Sequence, residues 1–101
     1  MARYAYDGEK LHFKQGMFQK RKDLQLQRMD NLNSLVIEEG ALPTLEQLII
    51  AFCKSLMEVP RGIQHLRNLK KLTLPMLFKD SVKPEEEYYH IIRHVPQVVF
   101  I

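Results

Sequence analysis

Apolar residues recur along this chain with a step of 24 positions. Leu24 and Leu26, Leu48 and Ile50, and Leu72 and Leu74 stand in one register; Phe18, Leu42 and Leu66 share a second column, and Met29, Cys53 and Leu77 a third. Self-similarity of this length marks a stacked array, in which each unit buries its apolar side only against its neighbours. Alternation within the units predicts strands over Asp23–Gln27, Gln47–Ala51 and Lys71–Pro75, with the Leu and Ile pairs turned inward. Burial of each such side chain contributes about 1.5–3 kcal/mol, which offsets the ordering cost only when the adjoining unit is present. Parallel strands need long crossovers, and a 24-residue step supplies them.

The spelling inside the units narrows the class. Residues 45–53 read Leu-x-x-Leu-x-Ile-x-x-Cys and residues 69–77 read Leu-x-x-Leu-x-Leu-x-x-Leu, the strand pattern of a leucine-rich repeat. The returns run over Leu32–Leu42 and Leu56–Leu66. In the second, Pro60 and Gly62 fit a turn, and Ile63, Leu66 and Leu69 mark a short helical or 3-10 arc. Leu11 and Phe13 fall 24 positions before Leu35 and Ile37, so residues 1–17 match the return half of an earlier unit. The strand of that unit would precede residue 1, so the chain is expected to begin inside a repeat.

After Leu77 the columns fail, because Asp80 and Lys83 stand where apolar residues stood before. Residues 84–95 read instead as a helix. Asp80 or Ser81 would cap it, Pro84 suits its first turn, Glu85–Glu87 complement its positive end, and Pro96 stops it. The expected architecture is α/β: a short solenoid of parallel strands with irregular or 3-10 returns over residues 1–79, then a C-terminal helical cap and tail over residues 80–101.

Composition adds limits. One domain is expected from 101 residues, and the net charge of +3 is scattered rather than gathered into a stripe, which disfavours nucleic-acid binding. No apolar run is long enough to span a bilayer, and the N-terminus lacks an apolar signal region. A single cysteine fits a reducing compartment, so a cytoplasmic protein is expected.

Candidate chemistry is sparse. His90 and His94 share a helical face but lack the context of a metal site, and Cys53 with His65 suggests a nucleophile and base only formally. Cys53 occupies the column where leucine-rich repeats place Asn or Cys to satisfy carbonyls at the bend after the strand, so a buried structural thiol is expected. No phosphate-cradling glycine motif is present. Neither enzymatic activity, metal nor cofactor is expected. The remaining place for function is the outward face of the strands: Gln25, Gln27 and Arg28, then Gln47, Ile49, Ala51 and Phe52, then Lys71, Thr73 and Met76. Ile49, Ala51, Phe52 and Met76 would form an apolar patch rimmed by Gln and Lys, as interaction sites often do.

Several phrases carry a family resemblance. Ala5-Tyr6-Asp7-Gly8-Glu9, Ile37-Glu38-Glu39-Gly40-Ala41-Leu42-Pro43 and Val59-Pro60-Arg61-Gly62-Ile63-Gln64-His65-Leu66-Arg67-Asn68-Leu69 resemble plant disease-resistance receptors of the coiled-coil, nucleotide-binding, leucine-rich-repeat class. Tyr88-Tyr89 followed by Ile92-x-His94-Val95-Pro96 resembles their terminal tail. The resemblance implies the last repeats of such a receptor, and with them intracellular immune recognition. The partner would be a protein: a pathogen effector, a guarded host protein or the receptor's own nucleotide-binding core. The coiled-coil and nucleotide-binding segments are absent from these residues, so ATP binding is not implied. One departure is Arg21, which stands where Leu45 and Leu69 stand in later units.

Overall fold

The computed structural model describes residues 10–101. Six strands occur among them: β1 (Lys10–Phe13), β2 (Asp23–Gln27), β3 (Ser34–Ile37), β4 (Gln47–Ala51), β5 (Lys71–Leu74) and β6 (Gln97–Phe100). Two 3-10 helices cover Arg61–His65 and Met76–Val82, and a single α-helical turn, α1, covers Tyr89–Ile92. The strands form two parallel sheets, β2-β4-β5-β6 and β1-β3. Up to β4 the chain alternates between them; β4, β5 and β6 then follow one another in the larger sheet.

The larger sheet keeps the sequence's register. Leu24 lies beside Leu48 and Leu48 beside Leu72, while Leu26 lies beside Ile50. All of these side chains are buried, as are Leu42, Leu45, Leu66 and Leu69 from the returns. The junctions also repeat: the Lys22 carbonyl accepts from the N–H groups of Glu46 and Gln47, and the Glu46 carbonyl accepts from those of Lys70 and Lys71. Gly16 and Gly40 (φ 83° and 90°), Phe18 and Leu42 (φ 53° and 50°), and Arg28 and Phe52 (φ 58° and 57°) repeat the same left-handed backbone one step apart.

The first return holds a strand, β3, where an irregular segment was expected. It pairs with β1 through Leu11↔Leu35 and Phe13↔Ile37, so the correspondence noted between these residues is a strand pairing. The second return does not add a third strand, and Pro60 gives the reason. In a parallel ladder one step on from β3, the donor to the Leu35 carbonyl would be the N–H of residue 60, which proline lacks. The Pro60 carbonyl instead accepts from the Ile63 N–H at 3.2 Å, opening the 3-10 helix.

Two expectations for the C-terminus are corrected. The helix over residues 84–95 is reduced to α1, because Glu85–Glu87 are exposed and bury nothing, while Ile91 and Ile92 reach the core. Short helices persist only where an apolar face packs. Asp80 and Ser81 do not cap it: Asp80 pairs with Lys83 at 3.0 Å, and the Ser81 carbonyl accepts from the Tyr88 N–H.

Nor does the periodicity end at Leu77. Lys71 lies beside Gln97, Leu72 beside Val98 and Leu74 beside Phe100, a step of 26 residues. The same step carries the Leu56, Leu66 and Leu69 columns to Val82, Ile92 and Val95, all buried. The two extra residues are taken up in the 3-10 helix after β5. There Leu77, expected in the column of Met29 and Cys53, is 53% exposed, and Phe78 fills the interior at 1%. The final element is therefore another strand rather than a helical cap.

Candidate functional site

Register sets the outward rows of the larger sheet. Asp23, Gln47, Lys71 and Gln97 form one row, and Gln25, Ile49, Thr73 and Val99 the next. Gln27 lies beside Ala51 in a third. Gln25 is exposed, and Gln27, Gln47, Ile49 and Lys71 are half-buried. Two expected surface residues are not at the surface. Thr73 is buried because β6 places Val99 beside it, opposite Ile49, and Ala51, small and between bulkier neighbours, is also buried. Both lie beneath the surface of that face.

Immediately past the strands the chain turns through left-handed backbone at Arg28 and Phe52. Such φ values hold a non-glycine side chain away from the usual strand direction at a cost of order 1–3 kcal/mol. The Arg28 N–H donates to the Ala51 carbonyl at 3.1 Å, which ties the two turns together. The Arg28 guanidinium then lies 5.5 Å from the centre of the Phe52 ring, within cation–π range. Phe52 remains 61% exposed and Met76 53% exposed. The Met76 N–H donates to the Ile101 carbonyl at 2.8 Å, so β6 brings the exposed Ile101 alongside.

The sequence reading missed Val99 and Ile101. The alternating, β-branched Val98-Val99-Phe100-Ile101 was their only signal, and it lies off the 24-residue step.

Charge borders the other end of the sheet. Lys22, Glu46 and Lys70, one step apart, form a ladder in which Glu46 Oε2 is 3.4 Å from Lys22 Nζ and Glu46 Oε1 is 3.8 Å from Lys70 Nζ. The face thus runs from a basic border before the strands, across a glutamine-rich middle, to an apolar border after them.

Cys53 occupies the structural position expected of it. Its thiol is buried and lies 3.6 Å from the Leu26 carbonyl and 3.5 Å from the Ala51 carbonyl as a donor. Burial pushes its pKa up, against the lowering effect of backbone hydrogen bonding with Met29 and Ala51, so it rests as a thiol. His94 Nε2 lies 3.1 Å from the Leu66 carbonyl. His90 is exposed on α1, and among the described residues no group of three or more His, Cys, Asp or Glu is placed to hold a metal. No helix among them is long and apolar enough to cross a membrane.

Curated relatives match most or all of the chain in sequence. It is 31% identical to Disease resistance protein RPP8 of Arabidopsis thaliana across 100% of its own length and 12% of that protein's. It is 33% identical to Disease susceptibility protein LOV1 of the same plant over 96% of its length and 11% of the relative's. Against Disease resistance protein RPM1 identity rises to 46% over 69% of the chain, covering 8% of that relative. No protein-family model matches the chain, and no solved structure matches it significantly. The chain belongs with the plant NB-ARC leucine-rich-repeat disease-resistance proteins, as a stretch of their C-terminal repeat region. It spans about a tenth of the length of the curated relatives it matches.

Proposed function

We propose that this chain is the protein-interaction part of an intracellular plant immune receptor: a leucine-rich-repeat solenoid that works by binding rather than by catalysis, in the cytoplasm. Its outward strand face meets a protein, either a pathogen effector, a guarded host protein or the receptor's own nucleotide-binding core, and so contributes to recognition and to autoinhibition. The observation that carries this reading is the exposure of Phe52 and Met76 beside half-buried Ile49 on one continuous face. Large apolar side chains left uncovered together, with a polar rim, are the usual anatomy of an interface core. The homologues' names, which describe disease resistance and susceptibility, support the same setting.

The test is to change Ile49 and Phe52 together to Asp in a full-length receptor carrying this segment. The expected result is loss of recognition or release of the resting restraint, with protein level unchanged. Unaltered recognition and unaltered restraint would refute the reading.

A second reading is that the segment merely closes a repeat array. It rests on β6, which covers β5 and buries Thr73. Grafting the segment onto an unrelated receptor separates the two, because a purely structural end leaves specificity unchanged.

A further inference from the structure

The smaller sheet has an open side. In a strand, one residue's N–H and C=O point to one neighbour and the next residue's to the other. The Glu38 N–H donates to the Phe13 carbonyl at 2.9 Å, so Ser34 and Val36 face β1 while Leu35 and Ile37 face away. On that side the Ile37 carbonyl is covered by Gly62, where an added Cβ would lie 2.2 Å from it. Among the described residues no hydrogen bond reaches the Leu35 N–H, the Leu35 carbonyl or the Ile37 N–H from that side. A cleft of about 360 Å³ lies there, between β3 and the segment from Leu56 to Gly62. Val36, Leu56, Glu58, Val59 and Gln64 line it.

Three features define an occupant. The free groups follow the strand pattern of donor, acceptor, donor along one edge. The partner strand that the 24-residue step would place there is blocked by Pro60, whose nitrogen carries no hydrogen. The recess is closed at Gly62 against Ile37. It therefore admits one chain and not the edge of a second folded copy, whose own sheet would follow it in.

We propose that this cleft is a strand-addition site, in which a single extended peptide segment pairs with the outer edge of β3. The peptide would offer an N–H to the Leu35 carbonyl and carbonyls to the Leu35 and Ile37 N–H groups. Affinity comes from the main chain, as in other cases of strand addition, and a proline at the donating position is excluded. This site is separate from the outward face of the larger sheet and does not depend on the function proposed for it.

The test uses the whole 101-residue chain as bait for a displayed library of random heptapeptides. An enriched peptide is then synthesised and titrated against wild type and against Pro60→Ala and Pro60→Val, which restore the missing donor and let the chain's own segment pair with β3. The expected result is binding at least tenfold weaker to the proline variants. N-methylation of one peptide amide should cost a similar factor. Amide exchange at Leu35 and Ile37, fast in the free chain, should slow on binding, while that at Val36 is already slow. The proposal is overturned if no peptide is enriched, if the free chain self-associates through this edge, or if Leu35 and Ile37 exchange is unchanged by bound peptide. Equal binding by folded proline variants overturns it too. Should neither variant keep the native circular dichroism spectrum, the exchange result decides alone.

Discussion

Gly62 approaches the Ile37 carbonyl so closely that a Cβ at position 62 would lie 2.2 Å from the oxygen and 2.6 Å from the Ile37 Cβ. The obstruction is backbone, which cannot swing aside as a flexible side chain does. Gly62→Ala should therefore destabilise the chain by about 1–3 kcal/mol, the usual cost of overpacking a tight site. Urea unfolding measures it. Gly16→Ala is a useful comparison for a different cause: an added Cβ would make only an ordinary 3.7 Å contact with Gln19, but φ is 83°.

Phe78 and Leu77 should respond oppositely to truncation. With the step lengthened to 26 residues, Phe78 is interior and Leu77 is on the surface. Phe78→Ala is expected to cost about 3–5 kcal/mol and Leu77→Ala less than about 0.5 kcal/mol. The reverse order would restore the uninterrupted 24-residue register.

Glu46 joins three successive units, yet both of its lysine partners are largely solvated. Exposed pairs contribute little, so Glu46→Gln should lower stability by at most about 1 kcal/mol. Raising the salt concentration should shrink the difference further. A larger, salt-insensitive loss would mean that the side chain's packing, not its charge, holds the units together.

Glu38 should make its contribution pH-dependent. The Gln15 N–H donates to its carboxylate at 3.0 Å and His12 Nε2 lies 2.6 Å away, and the backbone hydrogen bond leads in holding its pKa below the usual 4.5. A depressed carboxyl pKa stabilises the fold above the unfolded-state value and ceases to do so as pH falls through the folded one. The difference in melting temperature between wild type and Glu38→Gln should therefore narrow as the pH is lowered through the carboxylate range. A constant or widening difference would contradict this sign.

The strands that the sequence revealed were those whose inward pairs fall on the 24-residue step. Leu24/Leu26, Leu48/Ile50 and Leu72/Leu74 needed only alternation and a constant spacing to be placed, and Cys53 followed from its column. β6 was hidden because two added residues after β5 moved its inward Val98 and Phe100 off that spacing. β3 was hidden for a different reason. Four residues on a return show too little alternation to be read, although its pairing with β1 keeps the 24-residue step. The helix over residues 84–95 was over-read because capping and charge signals say nothing about whether a face will be covered. On the outward face, Ile49, Phe52 and Met76 were legible, but the burial of Thr73 depends on β6 and could not be seen without it.

The proposed role of the outward face is tested most directly by a paired substitution in a full-length receptor. Phe52→Asp on the larger sheet is compared with Met57→Asp on the second return, since both side chains are exposed. Receptor level, effector-triggered cell death and effector-free cell death are measured together. Phe52→Asp should alter one of the two responses at normal protein level, while Met57→Asp leaves both as they were. Responses that Phe52→Asp leaves unchanged, or that Met57→Asp changes equally, would contradict the assignment of partner binding to the outward face.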